Sequence, residues 1–305
     1  MKENVSKVIV GKGNVTDLIL TALIAGGHVL LEDVPGTGKT MIAKSFAKSI
    51  DAEFARIQFT PDLLPSDITG INYYNQKQGE FVFRKGPVFS NILLADEINR
   101  ATPRTQSALL ECMEEHQVTV DGETRKLGFP FIVIATQNPI ETAGTYQLPE
   151  AQLDRFIMQI PMGYPNREGE REILHRFAAD NPLLTLESVC TKEELAAMQK
   201  QCEEVYAAPV IEDYILDLVE ATRKHNNIAL GVSPRGALVF LRAAKCYSAL
   251  KGEHFVTPET VKYLAPFVLS HRLILEDVYS TNKKASDYIE EITHFVTAPT
   301  EDFAK

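Results

Sequence analysis

The chain has 305 residues, enough for about two domains with a sizeable core, and 45% hydrophobic with 24% charged residues is the composition of an ordinary globular protein. Its net charge of −10 argues against a dedicated nucleic-acid binder, which needs clustered Lys and Arg. Cys112, Cys190, Cys202 and Cys246 show no metal-ligand spacing and no disulfide framework, which fits a reducing cytoplasmic setting.

Met1-Lys2-Glu3-Asn4 leads into no signal-peptide core. Val15, Leu18, Ile19, Ala22 and Leu23 recur at helical spacing and predict an amphipathic helix over residues 14–25, stopped by Gly26-Gly27. The apolar stretch 18–31 is broken by Gly26-Gly27-His28 and is too short to span a bilayer, so no membrane insertion is expected. Residues 28–31 read as a buried strand, followed by a glycine loop and a helix to about residue 50. Further strands are predicted at 54–59, 91–95, 131–135 and 156–160. Strands alternating with helices indicate a parallel α/β sheet.

Two insertions interrupt this alternation. Residues 62–89 hold too much Gly and aromatic content for a plain helix, and 71–73 and 81–83 look like short strands. Val118 to Thr124 reads as a hairpin, because Asp121-Gly122 suits a type I′ turn. Beyond Pro161 the chain turns mainly helical, after a linker at Gly163-Tyr164-Pro165-Asn166. Ser233-Pro234 and Thr257-Pro258 are helix starts, a hydroxyl cap followed by Pro in the first turn. Phe240, Ala243, Ala244 and Tyr247 share one face of the first of these helices. The residues from Pro299 to Lys305 are expected to be loose.

The most informative stretch runs from Val29 to Thr40: the first strand, the tight loop Val34-Pro35-Gly36-Thr37-Gly38 and the start of its helix at Lys39-Thr40. A loop of this kind wraps a phosphate chain with backbone N–H groups, helped by the positive end of the helix. Lys39 would reach the β- and γ-phosphates, and Thr40 would place its hydroxyl on Mg²⁺. The usual pattern wants Gly where Asp33 stands, and Pro35-Gly36 can carry the bend instead. A nucleoside triphosphate and Mg²⁺ are the implied ligands.

The third strand delivers Asp96-Glu97 at its C-terminal end, where open α/β sheets bind ligands. Asp96 would hold Mg²⁺ through water, and Glu97 would polarise the attacking water. Asn138 follows the fourth strand and could hydrogen-bond the γ-phosphate and that water. Arg155 is either a surface ion-pair partner of Asp154 or Glu150, or an arginine finger for a neighbouring subunit; spacing leaves both open. Arg235 opens a helix, where a cation opposes the dipole, so its placement suggests a ligand or an acidic partner. Arg100 and Arg104 flank the start of a helix whose core face is Ala108, Leu109, Cys112 and Met113, and a solvated face is expected for both. Tyr73-Tyr74 are expected to be strand packing.

Taken in order, these segments resemble the MoxR family of AAA+ ATPases over nearly the whole chain. The resemblance rests on Val8-Ile9-Val10-Gly11, the phosphate loop, the run from Ile57 to Asp67, and Ala95-Asp96-Glu97-Ile98-Asn99-Arg100-Ala101. It continues through Ala135-Thr136-Gln137-Asn138-Pro139, the run from Leu148 to Phe156, Ser233-Pro234-Arg235 and His271-Arg272. It implies an AAA+ core over 1–163 with a five-stranded parallel sheet, a helix-2 insert and a hairpin before sensor 1. A linker and an all-α lid would fill 164–305. It further implies that Arg155 is a trans-acting finger and Arg235 the sensor 2 residue. Val10 and Gly11 would lie near the adenine, and Pro35 through Met41 would contact the nucleotide. Such proteins resemble chaperone-type remodellers that form rings, commonly hexameric, and work with a partner carrying a von Willebrand factor A domain. The family often has Gln where Lys12 stands, and other wording at Thr142-Ala143. A nucleic-acid motor, a chelatase-type subunit and a nucleotide switch without turnover are the rival functions. The acidic charge argues against the first, and Glu97 with Arg155 against the last.

Overall fold

A computed structural model describes residues 1–32, 36–138, 144–179, 181–276 and 283–300. The expected loose terminus beyond residue 300 lies outside them, as do Asp33, Pro35, Thr142 and Ala143. In chain order the elements begin α1 (Lys2–Ser6), α2 (Gly13–Ile24), β1 (His28–Glu32), α3 (Lys39–Ser49), β2 (Phe54–Gln58) and α4 (Pro65–Thr69). Next come β3 (Gly70–Asn75), β4 (Glu80–Lys85), β5 (Ile92–Asp96), α5 (Pro103–Glu115), β6 (Gln117–Val120), β7 (Glu123–Lys126) and β8 (Ile132–Gln137). Then follow α6 (Glu150–Leu153), β9 (Phe156–Pro161), α7 (Arg167–Ala179), α8 (Lys192–Glu203) and α9 (Pro209–Lys224). The last are β10 (Ile228–Leu230), α10 (Pro234–Leu250), α11 (Pro258–Leu269), β11 (Ile274–Leu275) and α12 (Ala285–Phe295).

Residues 1–16, 28–148 and 161–196 make up one compact unit, and 17–27, 149–160 and 197–305 a second. The five-stranded sheet has the order β2–β5–β8–β1–β9. β2 with β5, β5 with β8, and β8 with β1 pair in parallel. β5 is buried at every residue, as a parallel strand covered on both faces must be, which is why its sequence is apolar from Ile92 to Ala95 before Asp96 closes it. β8 lies between β5 and β1, so the C-terminal ends of three strands that are far apart in sequence come side by side. That crevice is where open α/β sheets bind ligands.

Both inserted hairpins form as predicted. β3 pairs antiparallel with β4, and β6 with β7. Asp121 and Gly122 have φ of 51° and 82°, the paired positive values of a type I′ turn. The insert also holds the short helix α4, which the sequence reading did not separate from its surroundings. On α5 the buried face is Leu109, Leu110, Cys112 and Met113, while Ala108 is only half-buried.

The second unit is built on α9, α10, α11 and α12. Ser233 accepts a hydrogen bond from the Gly236 N–H and Thr257 from the Thr260 N–H, so both predicted caps are present. Phe240, Ala243, Ala244 and Tyr247 are buried along one face of α10. All four cysteines are buried and free.

Candidate functional site

The first component is the loop between β1 and α3. Gly36 and Gly38 have φ of 90° and 93°, a left-handed conformation that any side chain would strain, and the space above both is open. Gly38 is the N-cap of α3, and no side chain caps that end. The leading N–H groups of a helix lack intrahelical partners, so this terminus suits an anion. Lys39 and Thr40 are the first two helical residues and are half-buried, as is Met41; Thr37 is buried.

The second component is a side-chain network across β2, β5 and β8. Asp96, buried at the end of β5, accepts from Arg56 Nε (2.8 Å) and Nη2 (2.7 Å) on one oxygen and from the Thr136 hydroxyl (3.0 Å) on the other. Glu97 has φ of 54°, left-handed for a residue with a Cβ, and its N–H donates to the same Thr136 oxygen at 2.9 Å. Such a backbone costs roughly 1–3 kcal/mol and persists only where its surroundings hold it. Its carboxylate accepts from Gln58 Nε2 at 2.6 Å and pairs with Arg100 Nε at 3.0 Å. Arg100 therefore belongs to the acid cluster and does not sit on a purely solvated face; Arg104 is exposed, as expected. Asn138 is buried just beyond β8.

Sequence reading missed Arg56, Gln58 and Thr136. A signal existed for the first two: residues i and i+2 of a strand share a face, so Arg56 and Gln58 project together. Gln58 stands in register with Asp96. The donor set suits Mg²⁺. Thr40 and Asp96 offer hard oxygens, and no group of three His, Cys, Asp or Glu among the described residues forms a closed cage. Mg²⁺ binds in that way, through one or two protein oxygens with phosphates and water completing its shell.

The third component is a cavity of about 590 Å³ lined by Val8, Ile9, Val10, Lys12, Gly36 to Gly38 and Met41, and by Tyr164, Pro165, Glu170, Ile173, Leu174 and Phe177. It joins the segment expected near the adenine to the glycine loop. Gly11 has φ of 70°, and a Cβ there would lie 3.7 Å from Pro165 Cβ and 3.9 Å from Gly169 Cα. Lys12 is buried and donates to the carbonyls of Met162 (3.2 Å) and Gly163 (3.0 Å), so its ammonium ties the two segments that wall the cavity. The apolar positions Ile173, Leu174 and Phe177 on the otherwise charged α7 were the legible sign of this wall.

In the second unit, Arg155 is half-buried where the chain enters β9, and Arg235 is the second residue of α10. Asp154 Oδ2 lies 3.9 Å from Arg235 Nε, which supplies the acidic neighbour that a cation at a helix N-terminus suggested.

The two hairpins of the first unit meet. Asn72 Nδ2 donates to Asp121 Oδ2 at 2.8 Å, and the Arg125 guanidinium lies 4.2 Å from the centre of the Phe83 ring. Tyr74 packs edge-on to Phe81 at 5.4 Å, yet Tyr73, Tyr74 and Phe81 are all exposed, so the tyrosine pair is not simply strand packing.

Residues 28–158 match the family model of the "ATPase family associated with various cellular activities (AAA)", and residues 220–292 match an AAA lid domain. YeaC of Bacillus subtilis is 50% identical over 97% of this chain and 93% of its own length. Chaperone MoxR1 of Mycobacterium tuberculosis is 42% identical over 89% of this chain and 74% of its own. A crystal structure from Cytophaga hutchinsonii superposes with a TM-score of 0.91 at 41% identity, covering 98% of this chain and 93% of that one. At this identity and coverage the chain belongs to the MoxR family of AAA+ ATPases.

Proposed function

We propose that this ATPase is a Mg²⁺-dependent, ring-forming machine that uses ATP hydrolysis to remodel a protein partner in the cytoplasm. The observation that carries the catalytic part is the convergence of Asp96, Glu97 and Thr136 beside the strand ends that lead to the glycine loop and to Asn138. Residues 1–163 are assigned to nucleotide binding and hydrolysis, and 164–305 to the linker and lid.

The backbone from Pro35 to Thr40 would cradle the phosphates, with Lys39 neutralising the β- and γ-oxygens and Met41 and Val10-Gly11 bordering the base. Thr40 and Asp96 would hold Mg²⁺, which would supply charge neutralisation at the phosphates. Glu97 accepts the proton of the attacking water, and Asn138 orients that water. Gln58 and Arg100 both hold the same oxygen of Glu97, Oε2, which orients the carboxylate. Arg235 would steady the γ-phosphate from the lid, and Arg155 would reach the nucleotide of the next subunit.

The remodelling role is supported by the chaperone name of a relative, by the acidic charge and by the exposed aromatics of the paired hairpins. The partner class is a protein with a von Willebrand factor A domain, and the assembly a hexamer. No helix among the described residues is long and apolar enough to cross a membrane.

Glu97→Gln should retain ATP and lose turnover, while Lys39→Ala should lose tight ATP binding. Pull-downs of a von Willebrand A-type partner with each trapped state should favour the ATP-bound Glu97→Gln form. Normal turnover by Glu97→Gln would remove the base assignment. ATP-dependent DNA binding at physiological salt, with no retention of such a partner, would favour a nucleic-acid motor.

A further inference from the structure

His271-Arg272 is a motif that neither the phosphate site nor the acid network uses. Arg272 is almost fully buried at the turn after α11. Its Nε donates to Asp154 Oδ1 at 2.7 Å. Its Nη2 donates to the Asp154 carbonyl at 3.2 Å and to the Phe156 carbonyl at 2.7 Å. Those carbonyls belong to the peptide groups before Arg155 and after Phe156, so they bracket the pair Arg155-Phe156.

The remaining contacts brace the guanidinium from behind. Nη1 donates to the Val268 carbonyl and lies 2.7 Å from His271 Nε2, which is itself 3.0 Å from the Phe156 oxygen. Burial and the adjacent guanidinium push His271 well below the usual imidazole range, so its ring is neutral. With a proton on Nε2 the ring donates to Phe156; without one it accepts from Arg272. Either tautomer secures the same short stretch of backbone. Arg235 Nε lies 3.9 Å from Asp154 Oδ2, against 2.7 Å from Arg272 Nε to Oδ1, so Arg272 is the closer holder of that carboxylate.

A planar fork of donors is suited to this task, and Lys, a flexible point charge, is not. Burying a cation costs free energy that a well-packed apolar side chain would avoid. Its retention at the two peptide groups that bracket Arg155-Phe156 calls for a role in the placement of that arginine.

We propose that Arg272 is a positioning residue for Arg155: it fixes the backbone on both sides of the pair Arg155-Phe156, so that the finger side chain leaves β9's entry in one direction. This rests on Arg155 acting in trans, and the experiment separates the two claims. Subunits carrying Lys39→Ala keep their finger and lose their own site, whereas subunits carrying Arg155→Ala keep their site and lose the finger. Mixed assemblies, verified by native mass spectrometry, should regain ATPase activity. Adding Arg272→Lys to the Lys39→Ala subunit should cut that regained rate by about 10²-fold, the scale of a misplaced catalytic group. Adding it to the Arg155→Ala subunit should change the rate less than about twofold, since no finger remains there to misplace.

The Arg272→Gln/Asp154→Asn pair leaves no unpaired buried charge. It carries the same expectation should Arg272→Lys fail to fold. Equal losses in the two subunits, or a loss that tracks a fall in melting temperature, would overturn the positioning role while leaving the trans finger intact. Absence of any regained activity in the parent mixture would overturn the trans finger, and the positioning role with it.

Discussion

The Thr136 hydroxyl donates to Asp96 Oδ1 at 3.0 Å and accepts the Glu97 N–H at 2.9 Å. One side chain on β8 therefore sets both acids at the end of β5, one through its carboxylate and the other through its backbone. Thr136→Val keeps the shape and leaves the Glu97 N–H without its partner, a loss of roughly 1–3 kcal/mol. The expected result is a kcat at least about tenfold lower, with ATP affinity changed little, because Lys39 and the glycine loop are untouched. Steady-state ATPase assays beside nucleotide titration separate the two; an equal fall in both would assign Thr136 to binding.

Arg56 places two nitrogens on the Asp96 oxygen that faces away from Thr136. A guanidinium there competes with a cation for the carboxylate. Arg56→Met is therefore expected to lower the Mn²⁺ concentration that half-saturates the nucleotide complex, read by electron paramagnetic resonance. A raised half-saturation point would mean that Arg56 helps hold the metal complex.

Gly11 has φ of 70° beside the cavity, where a Cβ would already touch Pro165 and Gly169 at ordinary contact distance, so atoms beyond Cβ would press on them. Gly11→Val should strain the backbone and part these segments. KM for ATP is expected to rise about tenfold with kcat nearly unchanged, the pattern of lost uniform binding. A fall in kcat alone would detach this cavity from base binding.

His28 is buried, with Nε2–H donating to the Met113 carbonyl at 3.1 Å and Nδ1 accepting the Val133 N–H at 2.9 Å. Burial lowers its pKa from 6.5 to about 4, with the coulombic effect of His116 adding to the shift. Between these values the unfolded chain binds the proton and the folded chain does not, so stability falls as pH drops. The contribution is full above pH 6.5 and is lost toward pH 4, to a limit of about 3 kcal/mol. Denaturation midpoints from pH 7.5 to 4 should show a loss that His28→Gln reduces. An identical slope in the variant would place the acid sensitivity elsewhere.

Strands, helix caps, both hairpins and the phosphate loop were legible in the sequence because each depends on signals a few residues apart. Apolar runs mark strands buried on both faces, Ser233 and Thr257 ahead of proline start helices, and Asp121-Gly122 supplies two positive φ values. The acids at the end of β5 were visible for the same reason: a hydrophobic run that stops in two carboxylates is a local pattern. Their partners were not. Arg56 and Thr136 lie some 40 residues to either side of Asp96, and Arg272 lies 118 residues from Asp154. Nothing in the spacing of those residues ties them together. The order β2–β5–β8 seats Arg56 and Thr136 on opposite sides of Asp96, and the turn after α11 brings Arg272 to the start of β9. Local chemistry determined which elements form and which side chains can do chemistry. Strand order and packing decided which charges meet, because a buried charge is tolerable only where the fold supplies its partner.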